Sequence, residues 1–188
     1  MPLILASGSP RRRELLENAA VTLASIRSPD IVEQRSAEET PLEYCCRLAR
    51  EKSNAISEAG HWVLAADTIV VQGDQVYEKP IDSSDALRML TALAVSPHQV
   101  ISAWCLRSCD DNTLVNGHSI STVRFRDVRT NELKAYVASG ECFDKAGAYG
   151  IQGLGAVLID EIEGSYSNIV GLPLQPVLDA LRKIGLIS

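Results

Sequence analysis

Histidine is scarce in this chain: His61, His98 and His118 are the only three in 188 residues, and they lie far apart. That spacing matches no metal-ligand pattern and makes a His-based metal site or a Ser-His-Asp centre a poor expectation. The five cysteines, Cys45, Cys46, Cys105, Cys109 and Cys142, form no C-x-x-C pair and are odd in number. A disulfide framework and a zinc knuckle are therefore not expected, and small reduced core residues are. Positive charge is in deficit, with 18 Lys and Arg against 24 Asp and Glu and a formal net charge of −6. This excludes a broad basic face for nucleic acid, so any anion site must come from a local cluster of cations. No apolar run approaches the ~18–20 residues that span a bilayer. The run Leu3-Ile4-Leu5-Ala6 is too short for a signal sequence and has no basic residue before it. Together these absences predict a cytoplasmic protein that engages no membrane. G-x-x-x-x-G-K-[ST] and G-x-G-x-x-G are both missing, so neither a P-loop nor a dinucleotide-binding turn is signalled. No internal repeat, low-complexity tract or linker interrupts the chain, and residues 1–188 are expected to form a single domain.

What is present is an ordinary soluble composition, 46% hydrophobic and 22% charged, on a chain long enough to bury a substantial core. Leu3 to Ala6 reads as a buried strand, followed by a helix with Ser9 as N-cap and Pro10 at its first position. Thr40-Pro41-Leu42-Glu43 is a capping box that opens a second helix, with Gly60 as its natural stop. Trp62–Ala66 and Ile69–Gln72 read as two β segments separated by Asp67-Thr68. Gly73-Asp74 predicts a hairpin into Gln75-Val76-Tyr77. Asp82-Ser83 opens a helix through Leu93, and strands are expected at 100–107 and 120–125. A helix near 131–138 ends at Gly140, the glycine-rich loop 144–153 follows, then a strand at 156–162 and a terminal helix at 172–184. Alternating helices and strands with interspersed hairpins predict an α/β fold built on a mixed sheet.

The most informative local feature is Ser9-Pro10-Arg11-Arg12-Arg13. The first turn of a helix carries partial positive charge and unsatisfied N–H groups, so it favours Asp or Glu. Three arginines there make sense if an anion joins them, meeting helix N–H groups, the Ser9 hydroxyl and guanidinium forks. The alternative is a solvated basic turn paired with Glu14 or Glu17. Leu42, Cys45, Ala49, Lys52 and Ile56 follow helical spacing, which puts Lys52 on the inward face, either snorkelling outward or meeting a partner. Asp67 at the end of an apolar run suits a metal ligand or an activator of water, and an ordinary turn aspartate is the competing reading. Glu33, in the polar connection 30–34, is a second candidate carboxylate. Lys79 is a lysine stiffened by Pro80. Gly147, Gly150 and Gly153 recur every three residues, which fits close approach of a flat ligand or a tight loop that needs positive φ. Gln152 offers the paired donor and acceptor that can read a base edge.

Taken in order, the stretches 5–12, Ala66-Asp67-Thr68-Ile69-Val70, Lys79-Pro80, 144–153 and Gly171-Leu172-Pro173 resemble the Maf family of nucleoside-triphosphate pyrophosphatases along nearly the whole chain. The resemblance implies a fold of the Maf/ITPase kind, a mixed central sheet flanked by helices, two-lobed with a cleft. It implies hydrolysis of a nucleoside triphosphate between the α and β phosphates, with a divalent cation, Mg²⁺, as cofactor. Arg11, Thr68 and Gln152 match the members acting on dTTP and UTP; relatives acting on methylated guanosine triphosphate carry Trp, Gln and Glu at those places. By the same resemblance Asp67 is catalytic, as general base or as holder of metal-bound water, and Glu33 and Asp67 hold the metal. Ser9, Arg11, Arg12, Lys52 and Lys79 bind phosphate, and the partner is a small nucleoside triphosphate rather than nucleic acid. A homodimer is an expectation from the family. Ser102-Ala103, Cys142-Phe143 and Val32 depart from the family pattern, Val32 standing where many members carry a further acidic residue. A non-catalytic nucleotide-binding module is the rival reading, a phosphomonoesterase or phosphotransferase the next.

Overall fold

A computed structural model describes residues 1–187. The order of elements is β1 (Leu3–Ala6), α1 (Pro10–Asn18), β2 (Ser25–Arg27), α2 (Pro41–Asn54), β3 (Trp62–Gln72), β4 (Gln75–Tyr77), α3 (Ser83–Leu93), β5 (His98–Ser108), β6 (Leu114–Phe125), α4 (Thr130–Ala138), β7 (Ile159–Glu163), α5 (Tyr166–Val170) and α6 (Leu174–Lys183). The strands form one seven-stranded sheet in the order β2-β1-β3-β5-β6-β7, with β4 paired to β3. β1 is parallel to both β2 and β3, whereas β3–β4 and β6–β7 are antiparallel, so the sheet is mixed as expected. Among the described residues no helix is long and apolar enough to cross a membrane.

The chain divides into two compact units. Unit 1 comprises Met1–Asp67, Ser102–Ser119 and Gly171–Ser188, and unit 2 comprises Thr68–Ile101 and Ile120–Val170. Each has its own core. In unit 1, Leu5, Leu64, Leu106, Leu172 and Leu181 pack together around α1 and α6. In unit 2, Leu90, Leu93, Val123, Leu133 and Tyr149 join α3, α4 and the strands.

Local signals set most element boundaries. Thr40 and Glu43 form the reciprocal capping box, Glu43 N–H donating to the Thr40 hydroxyl at 3.3 Å and Thr40 N–H to Glu43 Oε2 at 2.9 Å. Asp82 caps α3 by accepting from Asp85 N–H at 2.8 Å. The hairpin pairs Gln72 with Gln75 across Gly73, whose φ of 61° needs glycine.

Several expectations are corrected. The segments 62–66 and 69–72 are one uninterrupted strand, so Asp67 lies inside β3 rather than at its end. α2 stops at Asn54, and Gly60 (φ 77°) sits in a later turn. Residues 153–158 form a 3-10 turn rather than a strand, and the strand begins at Ile159. The last helix starts at Leu174 with Pro173 as N-cap, and the short elements β2 and α5 were not signalled.

Candidate active site

β1 and β3 run parallel, and their last registered pair is Ala6 with Ala65. β1 then turns through Ser7-Gly8-Ser9 into α1, while β3 continues two residues further to Asp67. Crevices beyond the carboxyl ends of parallel strands are where α/β sheets bind ligands. Here the arginine turn follows β1, and a carboxylate lies inside the neighbouring β3, two residues past the last pair that β1 makes with it.

Asp67 is 5% exposed, in the middle of a strand, and a buried carboxylate needs a partner. α2 supplies it. Lys52, 8% exposed, donates from Nζ to Asp67 Oδ1 at 2.6 Å, and one ammonium also reaches Glu33 Oε1 at 2.8 Å. Two turns earlier on the same helix face, the Cys45 thiol points its Sγ at the Asp67 carbonyl at 3.5 Å. Burial pushes the Cys45 thiol up, so it stays protonated and inert. α2 thus grips both the main chain and the side chain of one strand residue. Asp67 Oδ2, also buried, meets no donor among the described residues. Desolvating an oxygen without a partner is costly, which sets Oδ2 apart from the paired Oδ1.

The arginine run separates into different roles. Arg13 is exposed and pairs with Glu17 at 2.7 Å, the solvated-turn reading. Arg12 is turned inward: Nε donates to the Gly171 carbonyl at 2.8 Å and Nη1 to the Ser7 hydroxyl at 3.1 Å. Burial lowers the Arg12 pKa, with the Asp67 carboxylate the strongest opposing influence and Glu33 a further one, so all three share an electrostatic neighbourhood. Ser7 also accepts from Ser9 N–H at 3.2 Å, which shapes the entry to α1. The first turn of α1 has no acidic residue, and the Ser9 hydroxyl makes no capping bond, which leaves that terminus suited to an anion. Arg11 is half-buried in the same turn.

Unit 1 therefore brings together Arg12, Glu33, Lys52 and Asp67, with Ser9 and Arg11 on the adjoining turn. Thr68, Lys79 and Gln152 belong to unit 2. There Thr68 follows Asp67 in β3, and the glycine loop crosses the same strand at Val70. Gly147 has a φ of 69°, and a Cβ on it would lie 2.9 Å from Val70 Cγ1, so only glycine fits. Gly147 N–H donates to the Glu78 carbonyl at 3.1 Å, tying the loop to the segment that carries exposed Lys79. Gln152 is half-buried, precedes the 3-10 turn, and does not spend its side chain on capping it.

Ser7 and Gly171 stand in the stretches that carry the family resemblance, but their hold on Arg12 is not readable from the sequence. Ser7 lies inside the Ser7-Gly8-Ser9 turn, but its contact with Arg12 is tertiary. Gly171 is 159 residues away, and its φ of 130°, open only to glycine, aims the carbonyl. Glu141, which binds the glycine loop, was also passed over.

The family model described as Maf-like protein matches residues 2–184. The chain is 47% identical over 185 residues to the dTTP/UTP pyrophosphatase of Alcanivorax borkumensis, covering 97% of this chain and 95% of that protein. It is 43% identical over 188 residues to the dTTP/UTP pyrophosphatase of Geotalea uraniireducens, covering 99% and 96%. Among solved structures, a HAM1 protein from Coxiella burnetii aligns with a TM-score of 0.53 at 15% identity, over 97% of this chain and 99% of that one. At that identity the likeness concerns the fold alone.

Proposed function

The chain belongs to the Maf family, and from that premise we propose that it hydrolyses dTTP and UTP to the nucleoside monophosphate and pyrophosphate, a nucleotide-pool cleansing activity carried out by residues 1–188 as one functional domain. The observation that carries this reading is the buried Asp67 carboxylate, held by Lys52 through Oδ1 and unpartnered at Oδ2.

A triphosphate brings several negative charges to a cluster already balanced, Arg12 and Lys52 against Asp67 and Glu33. Further cations are needed, and a divalent ion is the economical one. The donor set fits it. Among the described residues no three acidic, histidine or cysteine side chains gather around a metal position, and the carboxylates that meet at Lys52 are Asp67 and Glu33. Mg²⁺ is commonly held in this way, by one or two carboxylates with phosphate oxygens and water completing the shell. Glu33 would hold it, joined by Asp67 where that carboxylate serves as a ligand rather than as the base. When bound, the ion supplies neutralisation of the phosphate oxygens and activation of water.

The chain's own residues do the rest. Lys52 fixes the Asp67 carboxylate through Oδ1, leaving Oδ2 to accept the proton of the attacking water. The water oxygen bonds to the α-phosphorus as the bridging bond to the β-phosphorus breaks, and pyrophosphate leaves in line. Arg11, Arg12, Lys79 and the Ser9 hydroxyl at the start of α1 neutralise the charge gathering on the leaving group. Thr68 and Gln152 select the base, and Arg11 favours the pyrimidine nucleotides.

The test is product analysis. With Mg²⁺, dTTP and UTP should yield monophosphate and pyrophosphate, and chelation should stop the reaction. Asp67→Asn should lower turnover by at least ~10²-fold. Orthophosphate as the product would indicate a phosphomonoesterase, nucleotide binding without turnover a regulatory module, and full dTTP turnover by Asp67→Asn would remove the central assignment.

A further inference from the structure

The glycine loop is held by two side chains of α4 and the turn after it. Glu141 accepts from Leu154 N–H at 2.8 Å through Oε2 and from Gly155 N–H at 2.9 Å through Oε1. Tyr136 donates its hydroxyl to the same Oε1 at 3.1 Å and accepts from Gly150 N–H at 3.3 Å. One hydrogen-bonded pair therefore fastens the backbone two residues before Gln152 and two and three residues after it. The donors are main-chain amides, so what is fixed is loop shape rather than any one side chain. The glycines agree. A Cβ on Gly153, whose φ is 69°, would fall 2.5 Å from Glu141 Oε2, and a Cβ on Gly155 would collide with Gly150 and the Tyr136 hydroxyl. Gly153 and Gly155 are thus required for close packing on this pair. Lys145 adds a further hold, donating to the Glu141 carbonyl and, at 2.6 Å, to Asp144 Oδ1.

A buried structural network would need no polar selector at its apex. Here the residue enclosed by the clamp is Gln152, extended (φ −91°, ψ 159°) and half-buried, with an amide that can read a base edge. An amide discriminates donors from acceptors only when its orientation is fixed to a fraction of an ångström. We propose that Tyr136 and Glu141 are positioning residues for base selection, holding the loop on both sides of Gln152 in the backbone shape from which its amide reads a pyrimidine. The inference rests on the reading of Gln152 as a base selector.

The experiment measures kcat and KM for dTTP and dGTP in the full-length protein and in Glu141→Gln, Tyr136→Phe, Gln152→Ala and the Glu141→Gln/Gln152→Ala double variant. Glu141→Gln turns one loop-binding oxygen into a donor. It should raise KM for dTTP roughly tenfold, the worth of one lost hydrogen bond, with kcat within about twofold, and narrow the preference for dTTP over dGTP. Tyr136→Phe should shift both quantities in the same direction by less, and it decides the matter if thermal melts show that Glu141→Gln does not fold. The double variant should match Gln152→Ala, because the clamp acts through that residue. Wild-type KM and preference in both clamp variants would overturn the proposal, and so would a full clamp effect that persists in the Gln152→Ala background. If Gln152→Ala itself keeps the wild-type preference, the selector reading fails and the clamp's role fails with it.

Discussion

At the residue scale, the site turns on one ammonium shared by two carboxylates. Lys52 was legible from helical spacing alone, because a lysine in register with Leu42, Cys45 and Ala49 must face inward. Its partner was not, since Asp67 is 15 residues away, and an aspartate in a run of β formers reads as a turn. That is why β3 was expected to break where it continues: the ion pair makes a mid-strand carboxylate tolerable. Removing one member should expose the dependence. Lys52→Met leaves buried Asp67 without its hydrogen-bonded cation and should cost about 3–5 kcal/mol, read as a lowered denaturation midpoint, together with most dTTP turnover. Adding Asp67→Asn removes the second charge, so the double variant should regain much of the stability and none of the activity. If the double variant is no more stable than Lys52→Met, the pair is not what the single substitution breaks.

At the scale of elements, what depends on neighbours three or four residues apart was readable, and what depends on distant contacts was not. The capping box at Thr40, the Gly73 turn and the Asp82 cap each sit where the sequence puts them. β2 was invisible because Ser25–Arg27 is short and mostly exposed, and it exists only as a partner for β1. The run from Ala156 to Ile162 looked like a strand from its apolar content. Its first part is instead drawn into a 3-10 turn by Glu141, which takes the amides of Leu154 and Gly155. α2 matters beyond its own stability because it presents Cys45 and Lys52 to β3. Thr40→Ala removes the hydroxyl that accepts from Glu43 N–H and should cost about 1 kcal/mol. For a chain of this length that lowers Tm by roughly 2–4 °C. Since Thr40 is exposed at the far end of the helix, kcat at 25 °C should hardly move, and a large loss of turnover without a change in Tm would contradict this division of roles.

At the scale of the molecule, the sequence showed an α/β chain with a mixed sheet, and the family resemblance implied two lobes, but the five segments that build the two units were not readable. Which strands neighbour one another is decided by pairing across the whole chain, and local patterns carry no record of it. The core of unit 2 contains a histidine that no function claims. His98 is buried, edge-on to Phe125 at 5.1 Å and to Tyr149 at 5.3 Å, with Nε2 2.7 Å from the Tyr149 hydroxyl. Burial also holds the Tyr149 phenol well above its usual value, so it stays protonated. Burial lowers the His98 pKa from 6.5 to about 4. The unfolded chain therefore takes up this proton more readily than the folded one, and stability falls as pH drops. The contribution is complete above pH 6.5, declines through the interval down to about 4, and levels off below it. Its full extent is on the order of 3 kcal/mol. Glu39, held at about 2 mainly by its hydrogen bond to Arg47, gives up its share mostly at lower pH, so the two are separable. Denaturant midpoints measured from pH 7.5 to 4 should slope downward in the wild type. His98→Gln should start lower, having lost packing against two rings, and stay nearly flat between pH 6.5 and 4.5. An equal slope in both proteins would place the acid sensitivity elsewhere.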